Sequence, residues 1–227
     1  MSICSRDTYD NFVGQIEDKN KTEMESIKSR IKDLKAKIKN EDETGAKVLP
    51  ELWDEIEKAK EELREIKRAY IDSGYEYVMT RSEKIKEQFL ADLQGLNHFD
   101  VWKRDKSHTA MWSMAVESSK VRGTWIMMES DKRAVTAERG EFCVDRKELV
   151  DTLKSLDMDE WKIHTDGPIV LDRDSWSVEL TYSNEKQKKY NGTKDYPFGY
   201  HHLIEKLSEW VREHGYKKLS LKENFKK

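Results

Sequence analysis

The chain has 227 residues, of which 38% are charged and 36% belong to the hydrophobic set, and its formal net charge is −3. This length suits one or two domains, and the near-balance of charge excludes both a strongly basic field for nucleic acid and a polyanionic mimic of DNA. The high charged share is typical of disorder or of long exposed helices, and the seven Trp and nine Tyr favour helices.

The cysteines and the first residues indicate the compartment. Cys4 and Cys143 do not make a disulfide framework. The N-terminus lacks the apolar core of a signal peptide, and no stretch approaches the roughly 20 apolar residues of a membrane span. We therefore expect a soluble, cytoplasmic protein that does not enter the membrane.

Two long helices are expected in the first part of the chain. In the first, over residues 6–40, apolar residues alternate three and four apart, as in a coiled-coil seam: Met24, Ile27, Ile31, Leu34 and Ile38. The second, after a break at Gly45 and Pro50, repeats this spacing: Leu49, Leu52, Ile56, Ala59, Leu63, Ile66 and Tyr70. The pattern predicts an antiparallel coiled-coil hairpin. A third helical run over 81–93 is grouped with it in a domain spanning 1–95.

Residues 96–227 are predicted to form a small domain, so that the fold class is α+β: the helical hairpin, then a mostly antiparallel β-sheet with two helices. Strand-like runs occupy 110–117, 121–129 and 133–144. Asp145 and Glu148 have the spacing of a capping box at a helix start. Short strand candidates follow at 161–164 and 169–171.

The last predicted unit is a strand, a second strand and an amphipathic helix. The first strand alternates apolar and polar residues, and its apolar members are Trp176, Val178, Leu180 and Tyr182. The helix has one buried face, formed by Tyr200, Leu203, Ile204, Leu207, Trp210 and Val211. This unit partly repeats an earlier one, because a Trp-led strand, a glycine and an amphipathic helix also follow one another at Trp125, Gly140 and Leu149.

The sequence contains no recognised catalytic motif, so we expect neither an enzyme nor a cofactor. His201 and His202 are adjacent and point in different directions, which favours packing over metal binding. Four side chains flank a short predicted strand and have the chemistry of a Mg²⁺-dependent hydrolase: His164, Asp166, Asp172 and Asp174. Turn-forming aspartate is the commoner explanation.

Lysines and tyrosines near the second strand of the last unit form the first candidate binding surface. Its members are Lys186, Lys188, Lys189, Tyr190, Tyr196 and His201. Together with the lysines that follow Gly215, they have the composition of a surface that tracks a nucleic-acid backbone and stacks bases. The alternative is that the lysines protect an edge strand and solubilise a frayed tail.

The hairpin offers the second candidate surface. Tyr9, Phe12 and Ile16 form an apolar cluster with Val13 that is out of step with the main seam. We expect this cluster to contact the C-terminal domain, a second protomer in a homodimer, or a foreign protein. The spacing leaves open whether the hairpin closes within one chain or pairs between chains.

One segment resembles a known group of proteins. Its pattern is Trp176-x-x-x-Leu180-x-Tyr182-Ser183-Asn184, Tyr190-x-Gly192, Tyr196-Pro197 and Leu203-Ile204-x-x-Leu207. This resembles a segment of small uncharacterised bacterial proteins. The resemblance covers less than a sixth of the chain, and it implies a small α+β module of bacterial or bacteriophage type with no defined activity.

These features favour a non-enzymatic protein–protein interaction protein, a regulator or inhibitor that docks on a macromolecular partner. The alternative is a nucleic-acid-binding protein that uses the lysine- and tyrosine-rich strand and the basic tail. A metal-dependent hydrolase is the third hypothesis.

Overall fold

The computed structural model describes residues 6–44, 50–130, 134–162 and 174–224. The chain divides into two compact units, Met1–Thr80 and Arg81–Lys227. The boundary falls before the third predicted helix, which therefore belongs to the second unit, whereas the sequence grouped it with the hairpin up to residue 95.

The first unit is the helical hairpin, formed by α1 (Arg6–Thr44) and α2 (Pro50–Asp72). The seam residues Met24, Ile27, Leu34 and Ile38 of α1 are buried, as are Ile56 and Ala59 of α2. Side chains also join the helices in antiparallel order: Arg30 bonds Glu62, and the Tyr70 hydroxyl donates to Glu17 Oε1 at 3.0 Å. The predicted hairpin is confirmed, and it closes within one chain.

The second unit contains a seven-stranded sheet in the order β6-β5-β1-β2-β3-β4-β7. The strands are β1 (Leu96–Arg104), β2 (His108–Val116), β3 (Lys120–Ser130), β4 (Ala134–Asp145), β5 (Ser175–Tyr182), β6 (Gln187–Thr193) and β7 (Gly215–Asn224). Every neighbouring pair among them is antiparallel. The α+β prediction is confirmed.

Three helices complete this unit, where the sequence predicted two: α3 (Arg81–Asp92), α4 (Arg146–Ser155) and α5 (Tyr200–His214). Their buried residues share one core with one face of the sheet. The helix members are Phe89, Leu149, Leu153, Tyr200, Leu203, Leu207 and Trp210, and the strand members include Phe99, Val101, Trp112, Met114, Trp125, Phe142, Val178 and Leu180. We call this face of the sheet the inner face, and the opposite one the outer face.

Two strands were not predicted. Strand β1 lies at the centre of the sheet between β5 and β2. Strand β7 pairs with β4 along residues of the basic tail, so the alternative that this segment is frayed is wrong for Gly215–Asn224. The predicted strands at 161–164 and 169–171 fall mostly on residues outside the described ranges.

The predicted capping box is also wrong. Asp145 precedes α4 with extended backbone, but its side chain makes no capping hydrogen bond. Instead, the backbone N–H of Arg146 donates to the carbonyl oxygen of Ser119 at 3.0 Å. Glu148 accepts a hydrogen bond from the Trp210 indole on α5. The connection between β2 and β3 therefore supplies an acceptor for the first N–H of α4.

Candidate binding surfaces

An aromatic cluster surrounds the start of α5. Gly199 has a φ of 79°, a backbone conformation that favours glycine, and it leads the chain into the helix at the fully buried Tyr200. The Tyr200 ring lies 5.1 Å from Trp176 and stacks on Tyr196 at 4.9 Å, measured between ring centroids. His201 in turn lies edge-on to Tyr196 at 4.7 Å. Strand β5 and α5 are thus joined by ring contacts.

Trp161 extends the cluster to β6. Its ring packs edge-on against Trp176 at 6.0 Å and against Tyr190 at 5.5 Å. The indole N–H of Trp161 donates to the carbonyl oxygen of Phe198 at 3.0 Å, which fixes the ring beneath the loop before α5. Burial raises the pKa of Tyr190 to about 12.

Three of the residues nominated from the sequence meet in this cluster. Tyr190 is buried, and therefore does not present its ring to a base at the surface. Tyr196 is half-buried, and burial raises its pKa with help from Asp174 and Asp105. His201 is half-buried as well, and burial followed by the positive charge of Lys103 lowers its pKa.

The nominated lysines lie elsewhere and are engaged within the chain. Lys186 and Lys188 reach the carboxylate of Asp92, at 2.9 and 3.3 Å. The ammonium of Lys188 also lies 5.0 Å from the centroid of the Phe89 ring. Lys189 approaches Glu179 at 3.7 Å. The lysines and the tyrosines of the predicted surface are therefore not presented together.

The hairpin residues nominated from the sequence lie in α1 of the first unit. Ile16, which is out of step with the main seam, is 36% exposed and therefore faces solvent. Tyr9 and Phe12 fall within the helix, and their side chains lie outside what the structure describes.

The hydrolase hypothesis depends on residues that mostly lie outside the described ranges: His164, Asp166 and Asp172. Asp174 is described, and its carbonyl oxygen accepts a hydrogen bond from the backbone N–H of Lys194 at 3.2 Å. Within the described parts of the chain, no group of three or more His, Cys, Asp or Glu side chains is placed to hold a metal ion. No helix there is long and apolar enough to cross a membrane.

The sequence missed an apolar row on the outer face of the sheet. Strand register places Trp102, Met111 and Ile126 side by side on β1, β2 and β3. Met111 is 41% exposed and Ile126 is 37% exposed, although most large apolar side chains of this unit are buried. We call these three residues the outer strip. Its sequence signal was one large apolar residue at an otherwise mostly polar set of outward positions in each strand, Met111 in β2 and Ile126 in β3.

Charged residues border the outer strip on one side. The adjacent cross-strand row contains Glu179, Asp100 and Glu141, on β5, β1 and β4. Arg139 lies beside Ile126 at one end of the strip. The same row continues to Lys189 on β6 and Lys217 on β7. The outer face thus combines an exposed apolar centre with a border of mixed charge, which is the composition of a protein-binding patch.

Comparisons with known proteins do not assign the chain to a family. No protein-family model matches the sequence, and no curated protein matches it significantly.

Proposed function

We propose that this protein is a non-enzymatic interaction protein, a regulator or inhibitor that docks on another protein through the outer strip. The observation that carries the proposal is the exposure of Met111 and Ile126 beside Trp102, on the face of the sheet away from the core helices. Burying such a strip contributes roughly 25 cal/mol for each Å² of apolar surface that leaves water.

The border of the strip suggests what the partner presents. The border carries both signs of charge, with Glu179 opposite Lys189 and Glu141 opposite Lys217. It favours a partner with apolar side chains and a polar rim of complementary mixed charge, because unlike charges at the rim speed association and fix its register. The hairpin adds a second contact surface, since α1 is 39 residues long and exposes Ile16. A bacterial or mobile-element setting rests on the resemblance of the segment from Trp176 to Leu207.

Nucleic-acid binding remains the alternative. It is less well supported, because Lys186 and Lys188 neutralise Asp92 and because Tyr190 is buried. A salt titration separates the two functions: binding to single strands through lysines weakens steeply with added salt, whereas docking through the strip does not.

The test first identifies a partner protein by photo-crosslinking from a reactive residue at position 126. It then substitutes residues of the outer strip in the full-length chain and measures binding to that partner. The variant Met111→Lys/Ile126→Lys is expected to weaken binding at least about ten-fold, because two ammonium groups enter an apolar contact. Ile85→Lys on α3 is the matched control, since Ile85 is 46% exposed outside the sheet. Binding that survives the double variant unchanged would exclude the strip, and Ile16→Lys would then test the hairpin.

A further inference from the structure

Opposite charges lie on the two sides of the outer strip within one strand. In β1, Asp100, Trp102 and Arg104 alternate with the buried Phe99 and Val101, so all three lie on the outer face. Trp102 belongs to the strip, and each charged residue is two positions from it, about 6–7 Å along the strand. The strip is therefore bordered in β1 by a carboxylate on one side and by a guanidinium on the other.

Both charged groups can reach another molecule. The Asp100 side chain is 41% exposed, and its contact with His98 at 3.2 Å is an ion pair only when the histidine is protonated. Arg104 is half-buried and forms no ion pair with any residue in the described ranges. Its neighbours across the strands are Thr109 and Ser175, which carry no charge. The guanidinium can therefore pair with a carboxylate of another molecule.

A two-fold axis along the outer strip brings these charges together. Sheets that pack face to face keep their strands aligned to within about 30°. When a second copy lies on the outer face with its strands antiparallel to the first, Asp100 of each copy faces Arg104 of the other, and the pair forms twice. The other positions beside the strip face each other without like charges: Glu179 with Ser175, Thr124 with Met128 and Glu141 with Ala137.

The other aligned orientation, with the axis along β2, opposes like charges. It sets Glu179 of each copy against Glu141 of the other, and it leaves Asp100 facing Thr124. Like charges that are directly opposed across an interface weaken association. The charges of the outer face therefore select the antiparallel orientation.

We propose that a second copy of this chain covers the outer strip in the antiparallel orientation, so that the protein without its partner is a weak homodimer. This homodimer rests on the proposed function, because it uses the same docking surface and must dissociate before a partner protein binds. Met111 and Ile126 lose their contact with water in the homodimer, and the partner then replaces one apolar cover with another.

The contact is small. Arg139 continues the row of the strip on β4 and faces its own counterpart, which confines the contact to β1, β2 and β3. Three strands about 4.8 Å apart and three rows over about 13 Å cover far less than the roughly 800 Å² per partner of a stable interface. We therefore expect a dissociation constant on the order of 100 µM, weak enough for a partner to displace the second copy.

Sedimentation equilibrium of the full-length chain measures the homodimer, and charge reversal tests its orientation. Asp100→Arg places a new arginine opposite Arg104, and Arg104→Asp places a new aspartate opposite Asp100, each of them twice. Each single variant should therefore dimerise at least about ten-fold more weakly than the unchanged chain.

A mixture of the two single variants should restore association. The new arginine of one variant then faces the new aspartate of the other, and the Arg104 that remains faces the Asp100 that remains. The heterodimer should form with an affinity within about three-fold of that of the original homodimer. If either reversal unfolds the chain, Asp100→Asn and Arg104→Gln take its place, and both should weaken the homodimer.

Arg122→Asp is the matched control. Arg122 lies on the outer face of β3, four residues from Ile126, and its side chain is 72% exposed. This reversal falls outside the three rows of the contact, so the affinity should stay within about two-fold of the original.

Several results would overturn the homodimer. The chain could stay monomeric up to about 500 µM, well above the expected dissociation constant. Both single variants could dimerise as tightly as the unchanged chain, as expected of a contact through the hairpin. A mixture that associates no better than its components would contradict the orientation. None of these results changes the effect of Met111→Lys/Ile126→Lys on binding to the partner protein, so the proposed function is tested separately.

Discussion

The indole N–H of Trp210 donates to a carboxylate oxygen of Glu148 at 2.5 Å, and this bond ties α5 to α4. Trp210 is 1% exposed, whereas Glu148 lies at the surface, so the carboxylate reaches inward to cover a buried donor. The contact joins residues 62 positions apart in the chain. Two helices that each pack on the sheet are thereby fixed to one another.

Glu148→Ala is predicted to destabilise the second unit by about 1–3 kcal/mol, because the Trp210 N–H loses its acceptor while the ring stays buried. Urea unfolding followed by tryptophan fluorescence measures the change. Lys147→Ala, at an exposed neighbouring position of α4, should cost less than about 0.5 kcal/mol. In Trp210→Phe, which has no N–H, the further effect of Glu148→Ala should largely disappear, and a persistent effect would refute the hydrogen bond as its cause.

Gly123→Ala is predicted to be more damaging than Gly192→Ala. A Cβ at Gly123 would lie 2.2 Å from the ring of Phe142, and one at Gly192 would lie 2.9 Å from the Trp176 ring. Phe142 is fully buried and has no room to move, so we expect a loss of about 1–3 kcal/mol or more at Gly123. Thermal unfolding compares both with Thr124→Ala on the outer face, which should change stability little. Equal stability of Gly123→Ala and Thr124→Ala would contradict the packing described for β3.

The sequence predicted elements whose apolar period is regular and missed those in which it is broken. Trp176 to Tyr182 alternates without interruption, and β5 forms there. Strand β1 has a register irregularity between Leu96 and His98 and carries Lys103 on its inner side. Its apolar and polar residues therefore do not alternate regularly, and the sequence pattern did not predict this strand although it is central in the sheet. Pairing energy from both neighbours overrides a weak local pattern.

The candidate sites were harder to predict than the fold. Lys186 and Lys188 appear available in the sequence, yet Asp92, 94 positions from Lys186, pairs with both. The outer strip forms because β1, β2 and β3 are neighbours in the sheet. The local sequence pattern of each strand does not predict that strand order. The Trp-and-glycine repeat is the exception, because Trp125 faces Gly140 and Trp176 faces Gly192 across their hairpins.

Lys21→Met is predicted to raise the pKa of Glu17 more than Tyr70→Phe does. The hydrogen bond from Lys21 is the larger cause of the lowered pKa of Glu17, and the bond from Tyr70 is the second. Removing either donor should move the midpoint toward the ordinary value of 4.5, as measured by NMR titration of the Glu17 carboxyl carbon. Thr22→Ala, which alters only a bond to the Asp18 carbonyl oxygen, should leave the midpoint unchanged. A larger rise in the pKa of Glu17 for Tyr70→Phe than for Lys21→Met would contradict the order of these two hydrogen bonds.

Acidification is predicted to destabilise the second unit as the pH falls through about 6.5, because of two histidines at the start of α5. Burial, followed by the charge of Lys103, lowers the pKa of His201, and burial, followed by Lys206, lowers that of His202. Glu205 opposes both shifts, and Glu209 opposes the second. Both folded-state pKa values therefore lie below the ordinary value of 6.5.

The sign follows from proton uptake. Just below pH 6.5 the unfolded chain binds protons that the folded chain does not, so the free energy of unfolding decreases as pH falls. The decrease ends once the pH is below the folded-state values, where both states are protonated. Urea unfolding between pH 7.5 and 5.5 measures this slope, which should be shallower in His201→Gln/His202→Gln. His214→Gln, at the exposed end of α5, serves as the control. A slope that the double variant leaves unchanged would show that these histidines do not set the acid sensitivity.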